Sequence, residues 1–266
     1  MPNWQALSKE KHAKSGWVAP SGYPQAKQDS IASVLAAELG QVLPYYPLAF
    51  VSDGKDSYHL NAMLSLESNT NLFINSANQW MVPYIPAAFR SYPFQMMSNG
   101  SGGHILALDV ESDFFLEEAV SPSQRILTDD GEPNESMKPL ITFMQQRLSQ
   151  KIQTDTLVKQ LADLNLIEPW SIDVRFGPEE SDVRKLLGLS RINEKALQEL
   201  APESLSELAK SGALGIAYAQ LFSMARVKDL QTRYLQYLQQ TKKPEVAEVD
   251  LDKLFDGDDG NDVFSF

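Results

Sequence analysis

PLAFVSDGKDSYHLNAMLSL, residues 47–66, reads as two β-strands folded back on one another. Pro47 to Val51 and Tyr58 to Leu66 are apolar and aromatic runs. Between them Ser52-Asp53-Gly54-Lys55 carries turn chemistry, with Gly54 supplying the backbone freedom a reversal needs. The same pattern continues C-terminally. Leu72-Phe73-Ile74 and Trp80-Met81-Val82 flank Asn75-Ser76-Ala77-Asn78, a second expected hairpin. Phe89 to Met97 and His104 to Val110 flank the polar, glycine-rich run from Ser98 to Gly103, a third. Short strands joined by turns favour an antiparallel sheet over βαβ units, which need long crossovers.

Upstream, the first 44 residues are polar, with turn signals at Pro20, Gly22 and Pro24. Asp29 to Leu39 predicts a short helix, because Ile31, Val34, Leu35 and Leu39 share one helical face. Asp29 or Ser30 would cap it, and Gly40 with Pro44 would stop it. Downstream of Thr128-Asp129-Asp130-Gly131 the period becomes helical. Met137, Leu140, Ile141, Met144, Leu148 and Ile152 form one stripe, and Pro139 is tolerated in the first turn if Ser136 is the N-cap. A second helix is expected over Thr156 to Leu164. Trp170, Ile172, Val174 and Phe176 then alternate with polar residues, a half-buried strand. Helices are expected again at Ala196 to Leu200, at Glu203 to Lys210 and in a long one around Leu214 to Leu238. A strand returning after helices argues for one integrated body. The predicted fold is therefore α+β, with an antiparallel sheet-rich N-terminal half and a mainly helical C-terminal half. A single domain is expected over 1–243, β-rich at 45–128 and helical at 134–240, followed by an acidic disordered tail at 244–266.

Composition bounds the function classes. With 266 residues, 43% hydrophobic, the chain can bury a sizeable core, and its glycine and proline contents exclude collagen-like or wholesale disordered character. No cysteine means no disulfide framework and no thiolate metal site. The net charge of −12 is uneven: residues 244–266 carry eight acids against Lys253, net −7, which leaves −5 for residues 1–243. Basic groupings are confined to Lys9/Lys11/Lys14 and Lys242/Lys243, too sparse to track a phosphate backbone, so nucleic acid is not an expected partner. Met1 to Pro20 lacks the apolar run of a signal peptide, and no stretch reaches the roughly 20 apolar residues of a membrane span. A cytoplasmic protein without membrane insertion is expected.

The three histidines, His12, His59 and His104, lie in different segments without ligand spacing, so no metal is expected. Asn99-Gly100-Ser101-Gly102-Gly103 precedes a β-like run rather than a helix and lacks a following Lys-Ser/Thr pair, so it reads as a hairpin connection, not a phosphate loop. No catalytic residue and no cofactor motif stands out. The densest chemistry lies between Asn71 and Phe94, where prolines at 83, 86 and 93 punctuate an aromatic run. Trp80, Tyr84, Arg90, Tyr92 and Phe94 are the candidate ligand- or partner-binding residues, because aromatics and arginine give contact area at low entropic cost. The alternative is core packing around a proline-kinked corner, with Arg90 pairing a buried carboxylate. In the tail, Leu254, Phe255, Phe264 and Phe266 are candidate docking anchors among carboxylates. Two other readings of that tail stand beside this one. It is a solvated end, or its run 257–264 is a single calcium-type repeat next to a type I secretion signal.

The same residues carry a resemblance. Tyr46-Pro47-Leu48-Ala49-Phe50-Val51, Asn71-Leu72-Phe73-Ile74 with Trp80, Tyr84-Ile85-Pro86-Ala87 through Arg90, and Tyr92-Pro93-Phe94 resemble successive blocks of the SapC family. So do Asp130-Gly131-Glu132-Pro133, the run from Gly188 to Leu197, Ser211-Gly212-Ala213-Leu214, and Tyr218-Ala219, an ordered match over about residues 40–230. The sequence departs from the family at Ser91, usually a second arginine, and at Gln220, often histidine. The resemblance implies a non-enzymatic accessory or binding protein. Its implied partner is a protein such as a flavin-dependent tryptophan halogenase or a TonB-receptor-linked 2-oxoglutarate hydroxylase. It also leaves open a secreted surface-layer component, reaching the cell surface without a signal peptide, and an unrecognised enzyme acting on amino acids or peptides.

Overall fold

A computed structural model describes residues 2–55, 57–100, 102–121, 123–177 and 182–241. In chain order its strands are β1 (Trp4–Ala6), β2 (Gly16–Trp17), β3 (Ile31–Ser33), β4 (Leu48–Ser52), β5 (Tyr58–Met63) and β6 (Phe94–Ser98), then β7 (His104–Asp109), β8 (Phe115–Leu116), β9 (Gln124–Arg125), β10 (Ile167–Arg175) and β11 (Val183–Ile192). The helices are α1 (Lys9–His12), α2 (Leu39–Val42), α3 (Lys138–Asp163), α4 (Glu194–Gln198), α5 (Pro202–Ser211), α6 (Ala213–Ser223) and α7 (Val227–Thr241). The fold is α+β, sheet-rich in the N-terminal half and mainly helical in the C-terminal half. All strand pairings among the described residues are antiparallel. The tail at 244–266 lies outside the described residues.

The 47–66 hairpin forms as read. Leu48 pairs with Ala62 and Ser52 with Tyr58, and Gly54 takes a φ of +75°, a conformation that costs other residues a clash at Cβ. This hairpin is the centre of a five-stranded sheet, β10-β11-β4-β5-β3, in which strands from both halves of the chain meet. The ladder between β4 and β11 is sparse, with one paired position, Ser190 and Phe50. Buried backbone groups need partners, and α6 supplies them by side chain. Ser223 Oγ accepts from Leu48 N at 2.8 Å, and the fully buried Gln220 donates from Nε2 to Leu48 O and accepts from Ile192 N through Oε1. Gln220, one of the two departures from the SapC pattern, thus joins strands β4 and β11 to α6.

Two smaller sheets, β1-β7-β6 and β8-β2-β9, surround a second core of Phe94, Leu108, Ile126, Leu127, Met137 and Met144. Helix α3, 26 residues and about 39 Å at 1.5 Å per residue, joins the two cores. Its first half buries Met144 in the smaller one, beside Met137 of the 3-10 turn that leads into it, and its second half buries Leu157, Val158 and Leu161 against the large sheet.

Several local expectations are corrected. Residues 29–39 are not a helix: β3 pairs with β5, and a 3-10 turn at Ala36–Glu38 leads into α2. Pairing as the edge strand of the sheet overrides the helical spacing, and Ile31 faces outward at 38% exposure. The expected hairpin at 72–82 reduces to one bridge, Ile74 to Trp80. The helices expected at 137–152 and 156–164 are one element, α3, which follows a 3-10 turn at Glu135–Met137 capped by Asn134 and has no side-chain cap of its own from Ser136, and Ile152 lies outside the buried stripe. The long C-terminal helix is broken by a 3-10 turn at Met224–Arg226.

Candidate functional site

The segment from Trp80 to Arg90 wraps over the large core on a buried polar frame. At its centre is Glu38, 5% exposed, at the end of the Ala36–Glu38 turn. Its Oε2 accepts from Leu35 N at 3.0 Å while its own N–H donates to Leu35 O, closing the turn, and its Oε1 accepts from Tyr84 OH and from Ala87 N, both at 2.7 Å. Arg147 on α3 is the cation facing this carboxylate: burial lowers its pKa, and the charge of Glu38 opposes that shift. A second link runs beside the first. Trp80 Nε1 donates to Tyr46 OH at 2.6 Å, and that hydroxyl donates to Tyr84 O. The Tyr46 ring is fully buried 4.6 Å from Phe73, and Trp80 packs 5.2 Å from Phe89. Burial, foremost, drives the hydroxyls of Tyr46 and Tyr84 well above the ordinary tyrosine range, and Glu38 adds to the rise at Tyr84.

Arg90 sits on top of this frame. Its guanidinium carbon lies 4.6 Å from the Tyr84 ring centroid, its Nε donates to Ile85 O at 2.8 Å, and the residue is exposed. No carboxylate pairs with it among the described residues. Nε donates to Ile85 O and the guanidinium also hydrogen-bonds the Tyr84 side chain, which leaves its remaining N–H groups on the exposed side, where they can bind a carboxylate or carbonyl in the plane of the fork. The alternative reading, Arg90 paired with a buried carboxylate, has no counterpart among the described residues; buried Glu38 is taken by Tyr84 and two backbone N–H groups.

The five binding candidates are therefore split. Trp80, Tyr84 and Arg90 share the Glu38–Tyr46 frame. Tyr92 and Phe94 belong to the smaller core: Tyr92 OH donates to buried Asp109 at 2.7 Å, and Phe94, 1% exposed, packs edge-on against Trp17. Ser91, between the two groups, is buried. The tail candidates Leu254, Phe255, Phe264 and Phe266 lie outside the described residues.

A further cluster escaped sequence reasoning. His59 on β5 places Nδ1 3.0 Å from Asp155 Oδ1 and 3.2 Å from Lys151 Nζ, both on α3, and Lys151 also pairs with Asp155. Two grooves of about 360 and 330 Å³ share His59 in their walls. Proton placement decides its role: Nδ1–H donated to Asp155 leaves Nε2 as an acceptor, whereas an Nδ1 lone pair accepts from Lys151. The 96 positions between His59 and Asp155 explain why no motif marks the pair. His12 is buried, which lowers its pKa, and His104 is exposed. Among the described residues no group of three or more His, Asp or Glu is placed to hold a metal ion. No helix there is long and apolar enough to cross a membrane.

Comparison with known proteins gives one finding. The family model described as SapC matches residues 7–230. No curated protein and no solved structure matches the chain.

Proposed function

The chain belongs to the SapC family, and we propose that it works as a non-enzymatic accessory protein that captures a protein partner on the exposed Tyr84–Arg90 platform. The observation that carries this reading is an exposed guanidinium, stacked on a rigid base and without an acidic partner among the described residues. Binding pays for ordering flexible side chains, and here the Trp80–Tyr46–Tyr84–Glu38 hydrogen bonds have already fixed the ring on which Arg90 rests. Arginine and aromatic groups so held are the residue types that concentrate binding energy in protein interfaces. The platform calls for a partner surface with a carboxylate or carbonyl for the guanidinium and an apolar neighbour for the ring. A flavin-dependent halogenase or a 2-oxoglutarate hydroxylase of the same cell is the partner class proposed, and the cytoplasm the compartment. Capture of either enzyme from host extract by the full chain, lost with Arg90→Ala and retained with a substitution at exposed Leu187, is the expected result. Equal capture by both variants would remove the platform from the reading.

The His59–Asp155–Lys151 cluster favours a second reading, an enzyme acting on amino acids or peptides. A carboxylate-oriented imidazole beside an open groove is a general-base arrangement. Incubation of the full chain with amino acids and mixed peptides would then yield products that disappear with His59→Gln; identical traces for both proteins would end this reading.

A further inference from the structure

A groove of about 570 Å³ runs between the 69–81 loop and α7, apart from both sites above. Leu72, Ile74 and Tyr237 give it an apolar floor, and Met81 stands on its rim at 46% exposure. Lys27 and Arg233 face into it, and none of its lining residues is acidic. Neither cation is in an ion pair among the described residues; Arg233 instead lies 4.9 Å over the Phe73 ring. In a chain of net charge −12, an acid-free groove holding two unpaired cations selects an anion, and its floor selects one with large apolar groups.

One segment of this chain has that chemistry and starts at the groove. Thr241, the last described residue of α7, is part of the groove wall. Beyond it Asp250-Leu251-Asp252-Lys253-Leu254-Phe255-Asp256 alternates carboxylates with apolar anchors. The intervening residues 242–249 span up to about 26 Å when extended, enough to turn back onto the wall they leave. We propose that the groove binds this chain's own segment 250–256, with Leu254 and Phe255 on the apolar floor and the carboxylates toward Lys27 and Arg233. The proposal does not depend on the platform at Arg90.

The absence of cysteine allows a direct test in the full chain. A nitroxide attached through Lys253→Cys should broaden the backbone amide signals of Ile74, Met81 and Tyr237 and spare Ile105 on β7, which belongs to a different sheet and the smaller core. Lys27→Glu and Arg233→Glu should each weaken that selective broadening about fivefold, as should high salt. Arg233→Glu also removes packing on Phe73, so the exposed Lys27→Glu is the cleaner variant. Broadening that is absent, uniform over the surface or indifferent to both charge reversals overturns the proposal. So does broadening that appears only between labelled and unlabelled copies, which would give the groove to a second chain.

Discussion

Two tyrosine–carboxylate pairs stand at either end of one aromatic stretch, and they differ in what surrounds them. Tyr84 donates to Glu38 in the large core, and Tyr92 donates to Asp109 in the smaller one, each at 2.7 Å. Both acids are buried and both accept two backbone N–H groups besides. For Glu38 these belong to Leu35 and Ala87, which are buried; for Asp109 they belong to Asn3 and Glu111, which are exposed. Only the first pair carries a guanidinium on its outer face. A contiguous aromatic run therefore makes one rigid platform and one ordinary core anchor, and the chain passes from one to the other within Arg90 to Tyr92.

The sharpest way to break this contrast is to remove each acid. Glu38→Ala strands two buried N–H groups and a part-buried phenol, and should cost about 3–5 kcal/mol. Asp109→Ala leaves its two backbone donors near solvent, which can serve them, and should cost about 2 kcal/mol. Urea unfolding of the two variants measures both. An Asp109 variant as unstable as the Glu38 variant would mean that burial of the donors does not distinguish the two pairs.

Alkaline titration sharpens the same contrast. Burial first, and then the Asp109 carboxylate, push the Tyr92 hydroxyl up to about 12, and Tyr84 rises further for the same two kinds of reason, burial and Glu38. A hydroxyl that binds its proton more tightly folded than unfolded stabilises fully below the unfolded value of 10.0 and loses that contribution as pH climbs through the folded one. Stability should accordingly fall from pH 10 upward through both groups at once, with the Tyr92 contribution exhausted near pH 12 and the Tyr84 contribution still declining past it. Tyr92→Phe should flatten the decline only up to about pH 12, whereas Tyr84→Phe should flatten it both there and beyond, followed by unfolding curves and phenolate absorbance. Coincident profiles for both variants would contradict the unequal environments.

What the sequence revealed follows from how local each signal is. The 47–66 hairpin was legible because its strands and its Gly54 turn lie within 20 residues, and the α3 stripe because Met137 and Met144 keep helical spacing. Strand β11 was not, since Leu187 is 69% exposed and Val183 38%, so its apolar residues do not alternate with a buried face. Residues 29–39 were misread because their apolar spacing fits a helix, while pairing of Ala32 with Ala62 is a tertiary event. At the candidate site, Trp80, Tyr84 and Arg90 were visible by residue type. Glu38, which holds them, is 46 positions from Tyr84 and looked like any surface acid of a short helix. Nothing local joins His59 to Asp155.

The smallest stability effect belongs to the residue on which the proposed function rests. Arg90 is exposed, its cation–π and hydrogen-bond contacts with Tyr84 are open to water, and its Nε donates to a loop carbonyl. Such contacts contribute less than about 1 kcal/mol each and are weakened further by solvent competition. The frame beneath keeps its own partners whatever stands on it, since Glu38 is satisfied by Tyr84, Leu35 and Ala87 without the guanidinium. Arg90→Ala should therefore shift the melting temperature by no more than a few degrees, against the large loss with Glu38→Ala. Arg90→Lys, which keeps the charge but not the planar fork, should fold as well and yet bind a partner carboxylate more weakly. A melting temperature for Arg90→Ala as low as that of Glu38→Ala would show that the arginine supports the frame, and the platform would then be a piece of core like the one around Asp109.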